Sequence, residues 1–161
     1  MKYSQIRDRI DDGDVVAYSF RRGWFTSWYA FKVNFVRLAQ MSEYSHIGFV
    51  QWQDGRLWLV DAVTPFVRNI PLSDDLPCFI VSGRGLTPEQ RLKAMALVGK
   101  ARYSIWDAIK AFFGVNDRED DRISCGELVN LIFSFPCKDT PAEIVRYLLA
   151  TGSTLYEVNE V

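Results

Sequence analysis

The sharpest alternation of apolar and polar positions lies between residues 45 and 63. His46-Ile47-Gly48-Phe49-Val50-Gln51-Trp52-Gln53 reads as one strand and Arg56-Leu57-Trp58-Leu59-Val60-Asp61-Ala62-Val63 as its return. Asp54-Gly55 between them is a preferred pair for a two-residue type I′ turn. Other runs fall around this hairpin. Residues 1–12 suggest a short polar helix, Asp12-Gly13-Asp14 a turn, and residues 15–20 a buried strand. From 25 to 41, Trp28, Phe31, Phe35 and Leu38 recur at helical spacing. Strands are expected at 66–70, 77–81 and 154–158. Thr87-Pro88-Glu89-Gln90 and Thr140-Pro141-Ala142-Glu143 carry helix-start signals. The first opens a helix to about residue 102 with Leu92, Met95, Ala96, Val98 and Gly99 inward, and the second a helix to about 150. A further apolar segment runs from 103 to 113, and a charged loop from 114 to 121.

A two-residue loop fixes the hairpin register: Gln53 faces Arg56, Val50 faces Leu59, Gly48 faces Asp61 and His46 faces Val63. Residues opposite each other share a face, as do residues two apart. His46 and Asp61 are therefore diagonal neighbours on one face, with Gly48 leaving room between them. A carboxylate so placed holds an imidazole in one tautomer and stabilises its charged form. Read plainly, Asp61 is a solvated strand residue, but its neighbours Leu59, Val60, Ala62 and Val63 are apolar, a poor setting for an unpaired carboxylate.

The second chemical signal is Ser124-Cys125-Gly126-Glu127 ahead of the apolar run Leu128, Val129, Leu131, Ile132 and Phe133. Ser124 is an expected N-cap, which puts Cys125 in the first turn of a buried helix. Unpaired N–H groups and the positive end of the helix dipole favour a thiolate there and can donate to an oxyanion. Taken alone, the stretch fits an inert core cysteine better.

Composition narrows the chemistry. The chain has 161 residues, 48% of them hydrophobic, and a net charge of −1, which fits one soluble domain over 1–161 and gives no basic excess for nucleic acid. Three cysteines, Cys78, Cys125 and Cys137, lack metal-type spacing and are an odd number, against a disulfide scaffold or zinc site. The charged loop lacks the spaced oxygen ligands of a calcium site, and neither a metal nor a cofactor is expected. The charged N-terminus is not a signal peptide, and Lys32, Asn34 and Arg37 interrupt the 24–41 stretch, so no transmembrane segment is expected. His46 is the single histidine, so a histidine base must be that one.

These pieces, in order, resemble a known family. An early Gly-Asp-Val-Val strand is followed by Ser-His-Ile-Gly-Phe-Val, an acidic residue before Ala, Tyr-Ser, and Ser-Cys-Gly-Glu-Leu-Val. The arrangement looks like the circularly permuted branch of the NlpC-type, papain-like cysteine hydrolases. That branch includes YiiX-like bacterial proteins and is related to lecithin:retinol acyltransferase; in it, as here, histidine precedes cysteine. The resemblance spans about residues 13–135 and implies Cys125 as nucleophile, His46 as base and Asp61 as third polar residue. It makes Ser45, Tyr103, Gly126 and Glu127 candidate supporting or substrate-binding positions. Two departures stand out: Asp61 where Glu is common, and Gly126 where Ser is common.

The expected fold is α+β, a small antiparallel sheet of five or six strands packed against the Cys125 helix. The expected activity is a cysteine peptidase or amidase type of hydrolysis of an amide, as in a peptide or amino-acid conjugate, through an acyl-enzyme. A lipid-directed thiol acyltransferase or esterase is the alternative, favoured by the aromatic stretch, where Trp24, Phe25 and Trp28 offer a membrane-surface contact. A non-catalytic binding module on the same fold is the third reading. With no signal peptide in the sequence, the expected setting is cytoplasmic or virus/phage-associated.

Overall fold

The computed structural model describes residues 1–19, 44–63, 65–100, 102–103 and 122–159. The proposed aromatic helix at 25–41 with Trp24, Phe25 and Trp28, the 103–113 segment beyond Tyr103, and the charged loop lie outside the described residues.

Eight strands form one sheet among them: β1 (Val15–Tyr18), β2 (His46–Gln53), β3 (Arg56–Val63), β4 (Phe66–Pro71), β5 (Cys78–Val81), β6 (Arg102–Tyr103), β7 (Arg122–Ile123) and β8 (Leu155–Val158). Their order is β7-β6-β4-β3-β2-β1-β5-β8. Six antiparallel strands, β4 to β8 in that order, make the body of the sheet, and the two-residue β6 and β7 extend it, pairing with each other in parallel. The hairpin forms in the expected register, from Gln53↔Arg56 to Gly48↔Asp61, with Asp54 and Gly55 both at positive φ (50° and 73°), as a type I′ turn requires. His46 itself pairs on its other side, with Tyr18.

Among the described residues four α-helices cover the sheet: α1 (Tyr3–Ile6), α2 (Pro88–Leu97), α3 (Cys125–Phe133) and α4 (Pro141–Ala150). One face carries Ala17, Ile47, Phe49, Val60 and Ala62, against which Leu128, Val129 and Ile132 of α3 and Ile144 and Leu148 of α4 are buried. The other carries Val16, Val50, Leu59 and Ile80, covered by Tyr3, Ile6, Ile10 and Leu72. Period-two alternation along β2 thus serves two cores, which explains why both faces of the hairpin read as apolar. The N-terminal segment is a short α-turn followed by a 3-10 turn over Arg7–Arg9, rather than one helix over 1–12.

The inward face of α2 differs from the sequence expectation. Leu92 is 73% exposed, Met95 and Ala96 are also exposed, and Ala94 is the buried residue of the helix. The helix docks through polar side chains instead. Gln90 and Lys93 donate to the carbonyls of Ile132 and Leu131 at the end of α3, groups that have no partner within their own helix. That docking turns the Gln90–Ala94–Leu97 stripe inward. The helix also stops at Leu97 rather than near 102, and Gly99, at φ 72°, donates its N–H to Val67.

Candidate functional site

The hairpin register decides what surrounds Asp61. Its pairing partner on β2 is Gly48, and a Cβ there would stand 2.7 Å from Asp61 Cβ and from the Val60 carbonyl. Glycine at 48 is what lets the Asp61 carboxylate pass toward His46. His46 Nε2 and Asp61 Oδ2 are 2.7 Å apart, with Asp61 fully buried and the His46 side chain 21% exposed.

On its other side Asp61 pairs with Arg68 of β4. The guanidinium grips the carboxylate as a fork: Nε donates to Oδ1 at 2.7 Å and a terminal nitrogen to Oδ2 at 2.9 Å. The same terminal nitrogen donates to Asp75 Oδ2 at 2.7 Å. The Tyr18 ring, opposite His46 on β1, lies with its centroid 5.6 Å from the imidazole. Neither Arg68, Asp75 nor Tyr18 was singled out by the sequence reading. The signal for Arg68 was present: Thr64-Pro65 is a second two-residue connection, and the arithmetic that sets Gly48 opposite Asp61 sets Arg68 opposite Asp61 on the far side.

Cys125 is the first residue of α3 and is 4% exposed. Ser124 caps the helix: its hydroxyl accepts from the Glu127 N–H at 3.2 Å, while the Glu127 carboxylate accepts from the Ser124 N–H at 2.8 Å. Glu127 is thereby engaged in a capping box. Gly126 is required by packing, because a Cβ would run into the Asp139 carbonyl. That accounts for glycine where a serine was expected from the resemblance. Ser45 extends the β1–β2 pairing, with its N–H 2.9 Å and its hydroxyl 3.3 Å from the Tyr18 carbonyl. Tyr103 lies on β6, and its side chain is outside the described residues.

His46 and Cys125 come from opposite sides of the sheet. By alternation His46, Gly48 and Asp61 share the face of Val50 and Leu59, whereas α3 packs on the face of Phe49 and Val60. His46 is the first residue of β2 and Cys125 the first residue of α3. With Nε2 engaged by Asp61, Nδ1 is the ring nitrogen left for Cys125, which together with Asp61 raises the pKa of the ring.

The electrostatics follow from these contacts. Burial works against a charged His46, but the hydrogen bond to Asp61 and the influence of Cys125 outweigh it and push its pKa up to about 10. Burial likewise opposes the Asp61 carboxylate, and the bonds from His46 and Arg68 more than compensate, holding its pKa below the usual value. Arg68 is raised chiefly by its bond to Asp61. Of the other cysteines, Cys78 is buried in β5, where desolvation and then Asp75 push its pKa up to about 12. Cys137 is half-buried and raised by burial, then by Asp139 and Glu143.

Comparison with solved structures gives the fold its place among known proteins. The chain is similar to the crystal structure of metalloprotein yiiX from Escherichia coli O157:H7, DUF1105, with a TM-score of 0.52 and 23% identity. The match covers 78% of this chain and 65% of that one, so the chain spans about two thirds of its structural neighbour. No family model and no curated protein matches the sequence. The architecture is therefore a YiiX-like α+β fold. Among the described residues no helix is long and apolar enough to cross a membrane.

Proposed function

We propose that the protein is a cysteine-dependent hydrolase of acyl compounds, with amides as its substrate class and Cys125, His46 and Asp61 as its reacting set. The observation that carries this reading is the 2.7 Å bond from His46 Nε2 to a fully buried Asp61, on a ring whose pKa Cys125 also raises. In the proposed reaction His46 holds the Cys125 proton on Nδ1 as an imidazolium, which Asp61 stabilises. The sulfur attacks the substrate carbonyl, and the Cys125 N–H, which has no partner within its own helix, donates to the oxyanion. The imidazolium returns its proton to the leaving group, and the acyl-enzyme is released by water. An acceptor other than water would turn the same intermediate to transfer.

The structural neighbour is described as a metalloprotein. Among the described residues no three of His, Cys, Asp and Glu gather as a ligand set, and both Asp61 oxygens already accept from Arg68 or His46. These residues do not fit a metal centre.

The test is acyl-enzyme formation. Incubation with p-nitrophenyl acetate should give a burst of nitrophenolate and an acetyl adduct on Cys125 that decays in water, with neither in Cys125→Ala nor His46→Ala. Equal turnover by the wild type and Cys125→Ala would overturn the proposal.

A further inference from the structure

We propose that Arg68 is a positioning residue, its guanidinium fork fixing the Asp61 carboxylate so that Oδ2 is aimed at His46 Nε2. The inference rests on the hydrolase reading and deepens it. Asp61 is fully buried and has two oxygens to satisfy. His46 reaches one of them. A carboxylate held by that bond alone would rotate about its terminal torsion and leave Oδ1 buried without a partner, a costly arrangement.

Arg68 removes both problems. Its two parallel donors, at 2.7 and 2.9 Å, define the plane of the carboxylate as a single ammonium cannot. Its backbone is locked opposite Asp61 in the β3–β4 ladder, and the terminal nitrogen of the fork is also tied to Asp75. The fork therefore has a fixed origin. The imidazole lies between this aimed carboxylate and the Tyr18 ring. Lysine at this position would supply the charge without the plane.

The single histidine makes the pair directly observable, because one imidazole accounts for every histidine ring N–H signal. Proton NMR of the wild type at neutral pH should show a downfield, slowly exchanging Nε2–H bonded to a carboxylate. Arg68→Gln should abolish or broaden that signal, and Arg68→Lys should shift it without restoring it. Circular dichroism checks that each variant is folded, and Arg68→Lys answers the question if Arg68→Gln is not. Alkylation of Cys125 by iodoacetamide should slow in step, on the order of tenfold to a hundredfold for a displaced partner. An unchanged Nε2–H signal in a folded Arg68 variant, or full recovery of signal and rate by lysine, overturns the positioning role. If instead His46→Ala alkylates at the wild-type rate, the hydrolase reading falls, while the NMR comparison still decides what Arg68 does to the His46–Asp61 bond.

Discussion

Asp61 is a residue on which two others converge, and its chemistry tolerates little change. Both oxygens accept, from His46 and from Arg68. In Asp61→Asn the amide nitrogen must face one of those donors, so the neutral isostere does more than remove charge. Breaking a buried pair in this way costs roughly 3–5 kcal/mol, and Asp61→Asn should show a lower denaturation midpoint together with lost Cys125 reactivity. A variant as stable as the wild type would mean that the carboxylate is not holding both partners. The pKa shifts give a second expectation. A raised His46 pKa stabilises the fold fully below its ordinary 6.5, and the contribution is lost as pH climbs through about 10. A lowered Asp61 pKa stabilises above its ordinary 3.8 and is lost as pH falls through its folded value. The stability difference between the wild type and His46→Gln, from urea denaturation across pH, should therefore be largest at mildly acidic to neutral pH and shrink toward pH 10. A difference that grows on the alkaline side would contradict the sign.

At the scale of elements, the hairpin was legible because a two-residue Asp-Gly turn leaves one register, and that register alone put Gly48 opposite Asp61. The same arithmetic, carried across Thr64-Pro65, leads to Arg68. The helix caps at Thr87 and Ser124 were legible because their bonds are local. The inward face of α2 was not, because Gln90 and Lys93 reach carbonyls of α3 more than thirty residues away, and no periodicity within α2 encodes that. Gly126 is a similar case: its need for a bare Cα comes from Asp139, which α3 approaches only in the folded chain. Gly126→Ala should force backbone apart at the start of α3, costing about 1–3 kcal/mol in urea denaturation, as overpacking typically does. Gly152→Ala does not share this clash, since nothing lies within 4 Å of the added Cβ, although its φ of 97° is strained for alanine. If Gly126→Ala matches wild-type stability, the close approach to Asp139 is not tight.

For the molecule as a whole, a sheet with both faces buried places polar chemistry at its rim, where the start of β2 and the start of α3 come together. Sequence pattern gave both elements and the family resemblance, but it did not reveal that His46 and the core around α3 belong to opposite faces. That fact depends on the two clusters being assigned to sides of the sheet. The central claim is that His46 and Cys125 act as a pair, and the three free cysteines supply internal controls. Cys78 and Cys137 both have raised pKa values, from burial and from nearby carboxylates, and alkylate slowly as thiols at mildly acidic pH. The most direct measurement is limiting iodoacetamide at mildly acidic pH, followed by peptide mapping by mass spectrometry in the wild type and in His46→Ala. The account predicts that Cys125 is labelled first and that His46→Ala slows its labelling; preferential labelling of Cys137, or Cys125 labelling indifferent to His46, would contradict it.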